Sequence, residues 1–208
     1  DKHKIIFVHI PKNAGTSVKN LFSKKLERPF QNKTIDEIKK ENPKAYDLYR
    51  KFTVVRSPYD RVVSWYAYQN RYCSDKNLVG YNDLINTYQY INGEYIVVDT
   101  IKAPIDAFKN WLKEQNADPQ QDLQLFKPQR TWVDETVTIL KYENLNKELS
   151  NFLNREIRLP TSNETSRYDT LDYYDKETLD IVYSRCKEDF EKYNYKRIEK
   201  IWRIIYIT

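Results

Sequence analysis

The sequence has few of the residues on which metal and disulfide sites are built. It contains two cysteines, two histidines and no methionine among 208 residues. Cys73 and Cys186 lie far apart and lack the paired spacing of a zinc or redox motif, so ordinary thiols are expected. Because the histidines are His3 and His9, the sequence does not favour a metal centre built on imidazole.

Long apolar runs are also missing. The longest ones, such as Ile5 to Val8, have the length of a strand and fall far short of the roughly 18 residues that a membrane-spanning helix requires. We therefore expect no membrane insertion by this chain. No repeat, low-complexity tract or flexible linker divides the sequence, which favours a single domain over residues 1–208.

The charge of the chain is positive but modest. The formal net charge is +5, from 35 basic and 30 acidic residues, and the basic residues are scattered along the sequence. A small, dispersed surplus lacks the basic face of a nucleic-acid-binding protein, so no nucleic acid partner is expected. It suits a small polyanionic ligand or an acidic polysaccharide.

Strand and helix patterns alternate along the chain. Apolar runs predict strands over residues 4–9, 52–55 and 136–140. Apolar faces and capping signals predict helices over residues 16–25, 34–41, 43–50, 58–71, 104–115, 144–154 and 175–193. Residues 74–95 show no clear period and are expected to form loops and short helices. This order predicts an α/β fold, with a central parallel sheet covered by helices on both faces and ligands at the carboxyl ends of the strands.

The loop after the first strand has the features of an anion site. It reads His9-Ile10-Pro11-Lys12-Asn13-Ala14-Gly15-Thr16-Ser17. Gly15 permits close approach of a ligand, the following helix directs its N-terminal N–H groups at an anion, and two hydroxyls add donors. We interpret residues 12–17 as a phosphate-binding loop, the alternative being a polar turn that caps a helix.

The P-loop of ATP-using enzymes is a different motif. It requires Gly, four residues and then Gly-Lys-Ser/Thr. Here Thr16 stands where that Lys would follow the glycine, and the basic residue, Lys12, lies at the start of the loop. No magnesium ligand is evident. An ATP-dependent, kinase-like enzyme is therefore the less favoured alternative.

A second polar segment follows the predicted strand over residues 52–55. Arg56 ends that strand, Ser57 is a suitable N-cap, and Pro58 suits the first helical position. Ser57, Arg61 and Ser64 then fall on one face of the helix. An Arg at such a helix start can bind a phosphate with two parallel hydrogen bonds. The alternative is a salt bridge and a solvated helix face.

Together the two segments resemble the nucleotide-binding motifs of sulfotransferases that use 3′-phosphoadenosine 5′-phosphosulfate (PAPS), especially the carbohydrate branch. The Lys12 loop resembles their 5′-phosphosulfate loop, and Arg56 with Ser64 resembles their 3′-phosphate motif. Weaker similarity extends to three further segments, Pro128-Gln129, Tyr142-Glu143-Asn144-Leu145 and Asn163-Glu164-Thr165-Ser166-Arg167. The last of these implies a nucleotide contact for Arg167.

The resemblance implies a P-loop-like fold and a function. The enzyme would transfer the sulfuryl group of PAPS to a hydroxyl without a metal, releasing 3′,5′-ADP, with Lys12 at the bridging oxygen. The resemblance favours a carbohydrate acceptor over a small metabolite, a lipid or a protein tyrosine. Two isolated thiols favour a reducing compartment and hence the cytoplasm. The alternative is the Golgi lumen, with an anchor that precedes Asp1.

The sequence departs from the family pattern at the position of the general base. Many members of that family place a His between the first two strands, whereas this chain reads Phe30-Gln31-Asn32-Lys33-Thr34-Ile35-Asp36-Glu37. Lys33 is a candidate contact of the transferring group, and Asp36, Glu37 and His9 are candidate bases, with the two acids ranked slightly above His9. The acids are equally suited to capping a helix, and His9 to a structural hydrogen bond. A chain without any base would be a non-enzymatic nucleotide-binding protein or scaffold.

Overall fold

A computed structural model of the chain describes residues 4–22, 32–72, 87–91, 94–99, 105–118, 120, 123–159 and 168–199. The chain forms two compact units. The first unit contains residues 1–57, 127–164 and 188–195, and the second contains residues 58–126, 165–187 and 196–208. The single domain over residues 1–208 stays a prediction.

The elements alternate between strand and helix, as the sequence predicts. Within the described ranges, the strands are β1 (Ile5–Val8), β2 (Arg50–Val55), β3 (Thr87–Ile91), β4 (Glu94–Asp99) and β5 (Thr138–Lys141). The α-helices of the same ranges are α1 (Gly15–Phe22), α2 (Ile35–Glu41), α3 (Pro43–Leu48), α4 (Pro58–Tyr72), α5 (Ile105–Gln115), α6 (Leu145–Leu153), α7 (Lys176–Arg185) and α8 (Lys187–Lys192). Short 3-10 helices cover Gln129–Trp132, Tyr142–Asn144 and Thr170–Tyr173.

A parallel sheet forms the centre of the first unit. Its strand order is β1-β2-β5, and both neighbouring pairs run parallel. Phe52 of the central strand pairs with Phe7 on one side and with Thr138 on the other. The Thr53 hydroxyl donates to the carbonyl oxygen of Val8 at 2.7 Å and ties the carboxyl end of β1 to its neighbour. The predicted parallel sheet is confirmed.

Helices cover both faces of this sheet, because strand side chains alternate between the faces. One hydrophobic cluster joins Ile6 and Val8 of β1 to Ile38 of α2. The other joins Val54 of β2 to helices α1 and α6. The predicted α/β architecture, with helices on both faces, is confirmed.

The cap residues explain where α2 and α3 begin. The Thr34 hydroxyl accepts a hydrogen bond from the backbone N–H of Glu37, and the Glu37 carboxylate accepts one from the Thr34 N–H, which completes a capping box. Asn42 ends α2 and caps α3, since its Oδ1 accepts from the Ala45 N–H at 3.0 Å. Pro43 then occupies the first turn of α3, where no backbone N–H is needed.

The second unit contains α4, α5 and α7 around an aromatic cluster. Tyr66 of α4 meets Phe108 of α5 edge to face, with ring centroids 5.2 Å apart. Phe108 meets Tyr174 in the same manner at 5.1 Å. Such edge-to-face pairs stabilise a core beyond their buried area. Among the described residues, no helix has both the length and the apolar character needed to cross a membrane.

The expectation for residues 74–95 was wrong where the structure describes them. Strands β3 and β4 pair antiparallel, with Ile91 opposite Glu94, where loops and short helices were expected. Both strands are rich in Tyr, Ile, Val and Thr, which favour strands, and Asn92-Gly93 between them is typical of a two-residue hairpin turn. The predicted helix over 175–193 is also interrupted, because α7 ends at Arg185 and α8 begins at Lys187.

Candidate functional site

Two residues of the loop between β1 and α1 have left-handed backbone conformations. Lys12 and Ala14 have φ of 69° and 57°, in the left-handed region that glycine favours. Asn13 between them does not, and its N–H bonds the carbonyl oxygen of Ile10 at 3.3 Å. An alternation of left- and right-handed residues turns successive N–H groups toward one side, where they form a concave site for an anion.

Helix α1 follows this loop directly. It begins at Gly15, and the first bond of its ladder runs from the Val18 N–H to the Ala14 carbonyl oxygen at 3.0 Å. The first N–H groups of an α-helix have no acceptor within the helix and carry the positive end of its dipole. Thr16 and Ser17 lie in this first turn. The predicted loop residues therefore lie together at one helix start.

The imidazole of His9 packs against the glycine of the loop. A Cβ atom built on Gly15 would lie 1.8 Å from Nε2 of His9. Burial, followed by the positive charge of Lys19, lowers the pKa of His9 from 6.5 to about 4, against a hydrogen bond with the Asn32 side chain and with a smaller contribution from Lys12. His9 is therefore neutral at physiological pH and lies beside two positive side chains.

Arg56 follows the last residue of β2 and contacts the same loop. Its side chain is buried, and Nη1 donates to the carbonyl oxygen of Lys12 at 2.8 Å. The guanidinium carbon lies 4.0 Å from the ring centre of Tyr142, at the end of β5. The structure thus brings together the two segments of the first unit that the sequence predicts to bind phosphate.

The residue after Arg56 is held by its backbone. The Ser57 N–H donates to Oε1 of Glu143 at 2.8 Å, and Oε2 of the same carboxylate accepts from the Tyr195 hydroxyl at 3.2 Å. Burial raises the pKa of Tyr195 well above its ordinary value, so this hydroxyl stays protonated and donates. Glu143 therefore fixes the chain where it leaves the sheet for α4.

Gln129 links the loop to Arg56. Its fully buried amide accepts from Nδ2 of Asn13 at 2.6 Å and from the backbone N–H of Arg56 at 2.9 Å. The second N–H of the Asn13 amide donates to the Val54 carbonyl oxygen at 2.7 Å. Asn13 is thereby a structural anchor of the loop, and its contact with a nucleotide stays a prediction.

The remaining predicted nucleotide contacts belong to the second unit. Ser64 on α4 is 8% exposed, and Arg61 on the same helix is buried and donates to the carbonyl oxygen of Gln124 at 3.2 Å. This burial excludes the alternative of a solvated helix face at these positions. The contact of Ser64 with a nucleotide stays a prediction. Arg167 lies outside the described residues, and its role also stays a prediction.

Three candidate catalytic residues lie around the start of α2, and two of them have structural partners. Lys33 forms an ion pair with Glu41, with Nζ 2.5 Å from Oε1. Glu37 is exposed, and its hydrogen bonds with the backbone N–H and the hydroxyl of Thr34 lower its pKa below the ordinary value. Asp36 is exposed in the first turn of α2. Their catalytic roles stay predictions.

Two residues that support the site, Gln129 and Asp189, were not predicted from the sequence. Gln129 belongs to the Pro-Gln pair that resembles the sulfotransferase segment, and that resemblance implies no role for it. Asp189, which accepts two hydrogen bonds from Gln129, lies in the predicted helix over 175–193. An acidic residue among many on such a helix indicates a solvent-facing position. The sequence therefore carries no signal for its burial.

The comparisons with known proteins agree with the observed fold. The sequence matches the Sulfotransferase family over residues 1–196. Neither a curated protein nor a solved structure matches it. The family has a P-loop-like α/β fold, and the matched region includes the parallel sheet, the Lys12 loop and Arg56. The chain therefore belongs to the sulfotransferase family, whose members transfer a sulfuryl group to an acceptor.

Proposed function

We propose that this protein transfers the sulfuryl group of PAPS to a hydroxyl group of a carbohydrate and releases 3′,5′-ADP. One observation carries the proposal. The Arg56 guanidinium donates to the carbonyl oxygen of Lys12 at 2.8 Å, so a buried cation lies against an anion-binding loop at one end of the sheet. A ligand with phosphates at two positions is the chemistry that such a pair of elements recognises.

The loop and its surroundings fit the 5′ side of such a nucleotide. Non-glycine residues in the left-handed region each cost about 1–3 kcal/mol, and they occur preferentially where a chain is shaped around a ligand. Lys12 and Ala14 both adopt this conformation. Lys12 and Lys19 act electrostatically on the same imidazole, so the neighbourhood of the loop is positive. These features support a bound phosphosulfate.

Arg56 fits the other phosphate of the donor. Its buried position lowers the effective dielectric around the guanidinium, which strengthens its attraction for an anion relative to a surface Arg. A guanidinium also presents several N–H groups in one plane, a geometry that matches the oxygen atoms of a phosphate. We assign Arg56 to the 3′-phosphate, as the resemblance of its segment implies.

The chemistry requires positioning and charge stabilisation. The bond from sulfur to the bridging oxygen of the donor breaks, a bond from sulfur to the acceptor oxygen forms, and the acceptor hydroxyl gives its proton to a base. Lys12 stabilises the negative charge on the bridging oxygen, and the loop N–H groups hold the 5′-phosphate in line for the transfer. No metal ion has a role in these steps.

A carbohydrate is the acceptor that the sequence supports best. The motifs are most similar to the carbohydrate branch, and the net charge of +5 suits an acidic polysaccharide. The acceptor class is thus inferred from sequence rather than from a described surface.

The function is tested by binding and by transfer. Calorimetry should show binding of 3′,5′-ADP in the absence of metal, and weak or no binding of ATP with magnesium. Tight binding of ATP alone would instead support a kinase-like enzyme. Sulfate transfer from labelled PAPS to a panel of glycans, metabolites and tyrosine peptides then identifies the acceptor. Binding of 3′,5′-ADP without transfer to any of them would indicate a non-enzymatic protein.

A further inference from the structure

The side-chain amide of Gln129 makes the largest number of hydrogen bonds that an amide can form. Its Oε1 accepts from the Arg56 N–H at 2.9 Å and from Nδ2 of Asn13 at 2.6 Å. Its Nε2 donates to the Arg56 carbonyl oxygen at 3.0 Å and to Oδ2 of Asp189 at 3.0 Å. An amide has two donor hydrogens and two acceptor lone pairs, so its capacity is filled.

Gln129 therefore binds Arg56 in the way a neighbouring strand would. It pairs with both the N–H and the C=O of the same residue, one position beyond the end of β2 at Val55. Strand pairing ends before this point, since the last pair of β2 and β5 is Val55 opposite Lys141. The amide thus extends the ordered backbone of the central strand by one residue.

Asp189 sets the orientation of this amide. The carboxylate is fully buried, and its oxygens accept from the backbone N–H of Gln129 at 2.8 Å and from Nε2 at 3.0 Å. A carboxylate and a backbone carbonyl oxygen only accept hydrogen bonds. Rotating the amide by half a turn would place Oε1 against two acceptors, the Asp189 carboxylate and the Arg56 carbonyl oxygen. It would also leave the Arg56 N–H without its acceptor.

We propose that Gln129, oriented by Asp189, is a positioning residue that fixes the backbone of Arg56 and thereby aims its guanidinium at the anion. The same amide holds Asn13, so Arg56 and the loop are set relative to each other. The inference rests on the proposed function, because it assigns a purpose to the aim of Arg56. It adds two residues to the site, neither of which contacts the nucleotide.

The first measurement requires no ligand. In Gln129→Met, which keeps the side-chain length but removes all hydrogen bonding, the Arg56 amide loses its acceptor. Its hydrogen exchange, followed by NMR, should become at least about tenfold faster than in a control of matched stability. Leu149→Ala on α6 is that control, since Leu149 is fully buried in the cluster on one face of the sheet.

The second measurement uses 3′,5′-ADP as the probe. Gln129→Met should weaken its binding at least about tenfold, whereas Leu149→Ala should leave it unchanged. In the Arg56→Ala background, Gln129→Met should weaken 3′,5′-ADP binding much less than it does in the wild type, because its effect acts through Arg56. Asp189→Asn is the milder second variant if Gln129→Met fails to fold, and it should shift exchange and affinity in the same direction.

The outcomes separate this inference from the proposed function. If the Arg56 amide exchanges hydrogen at the same rate in Gln129→Met and Leu149→Ala, the inference is overturned, whatever the affinity for 3′,5′-ADP. Faster exchange with unchanged 3′,5′-ADP affinity also overturns it, because Gln129 would then be only structural. Wild-type protein that does not bind 3′,5′-ADP refutes the proposed function, while the exchange rates still decide whether Gln129 fixes Arg56.

Discussion

The His9 imidazole occupies the space in which a side chain at position 15 would lie. A Cβ atom on Gly15 would be 1.8 Å from Nε2 and 2.1 Å from Cδ2 of His9. The end of β1 and the first residue of α1 are therefore in direct contact across the loop. The requirement for glycine at position 15 comes from this ring.

We predict that Gly15→Ala destabilises the protein, because the added methyl forces the partly buried His9 ring to move. The cost should be about 1–3 kcal/mol, as for other overpacked sites. Chemical denaturation with a fluorescence readout measures it. Thr16→Ala, one residue further into α1, is the matched control, and it should lower the free energy of unfolding by less than Gly15→Ala does.

The double variant His9→Ala/Gly15→Ala tests the cause. Removing the ring should recover most of the stability that Gly15→Ala loses relative to His9→Ala alone. If the two losses simply add, the contact between the ring and the glycine is not the reason for the effect.

We predict that His9 makes stability depend on pH between about 6.5 and 4, because the folded state holds its pKa at about 4 while the unfolded value is near 6.5. In this window the unfolded chain binds a proton that the folded chain does not. Stability is therefore complete above pH 6.5 and is lost as the pH falls toward 4, by up to about 3 kcal/mol.

The measurement is the free energy of unfolding as a function of pH, for wild type and His9→Gln. The variant should lose the slope between pH 6.5 and 4 and keep the acid transition below pH 4, which comes from carboxylates such as Asp134 and Asp175, whose pKa values lie below the ordinary value. Parallel curves for the two proteins would contradict the assignment.

The sheet was predictable, whereas the hairpin was missed for an identifiable reason. Apolar runs of strand length indicated β1, β2 and β5, and the central strand β2 is buried on both faces, as Val54 and Val55 show. Loops and short helices were expected in the segment before β4, although Asn92-Gly93 between two strand-forming runs is a hairpin signal. That error came from the interpretation, since the signal is present in the sequence.

We predict that Lys12→Ala lowers turnover at least about 100-fold while 3′,5′-ADP affinity changes little, because this charge acts mainly as the bridging oxygen leaves. The geometry allows this separation. Arg56 binds the backbone carbonyl of Lys12, so the link survives loss of the side chain. Steady-state rates with PAPS and calorimetry with 3′,5′-ADP measure the two effects. Near-normal turnover would remove Lys12 from the mechanism.

We predict that Arg56→Ala weakens 3′,5′-ADP binding by at least about tenfold and 5′-AMP binding much less, because a charged hydrogen bond to the 3′-phosphate is lost. Arg56→Lys is the matched variant. It keeps the charge but not the planar guanidinium over Tyr142, and its affinity for 3′,5′-ADP should lie between those of wild type and Arg56→Ala. Equal losses for both nucleotides would refute the assignment to the 3′-phosphate.

Half of the site could be predicted from sequence because local chemistry determines it. Residue type and position at strand ends are enough to predict Arg56 and the loop from Lys12 to Ser17 as candidates. The support of Arg56 could not be predicted, since Gln129 lies 73 positions away and reaches Arg56 only in the folded chain, and Asp189, 133 positions away, acts through Gln129. For Gly15 the sequence suggested close approach of a ligand, whereas the neighbour found in the structure is His9.

The last prediction concerns the proton of the acceptor hydroxyl. From the sequence, a carboxylate base and an imidazole base should differ in pH–rate profile, with the imidazole inflection near pH 6.5. The structure removes that contrast, because burial places the pKa of His9 at about 4. The pKa of Glu37 is also lowered, by its hydrogen bonds with Thr34. For either base, the rate should rise with pH and level off below pH 6.

Substitution must therefore identify the base. Glu37→Gln retains a side chain that can complete the capping box with Thr34, Asp36→Asn lies at an exposed position, and His9→Gln keeps an amide that can bond Asn32. Each should preserve 3′,5′-ADP affinity, which serves as the control for folding. The base is the residue whose variant loses at least about 100-fold in turnover at unchanged affinity. Normal turnover in all three variants would exclude every candidate and favour proton transfer to an acidic group of the acceptor itself, through water.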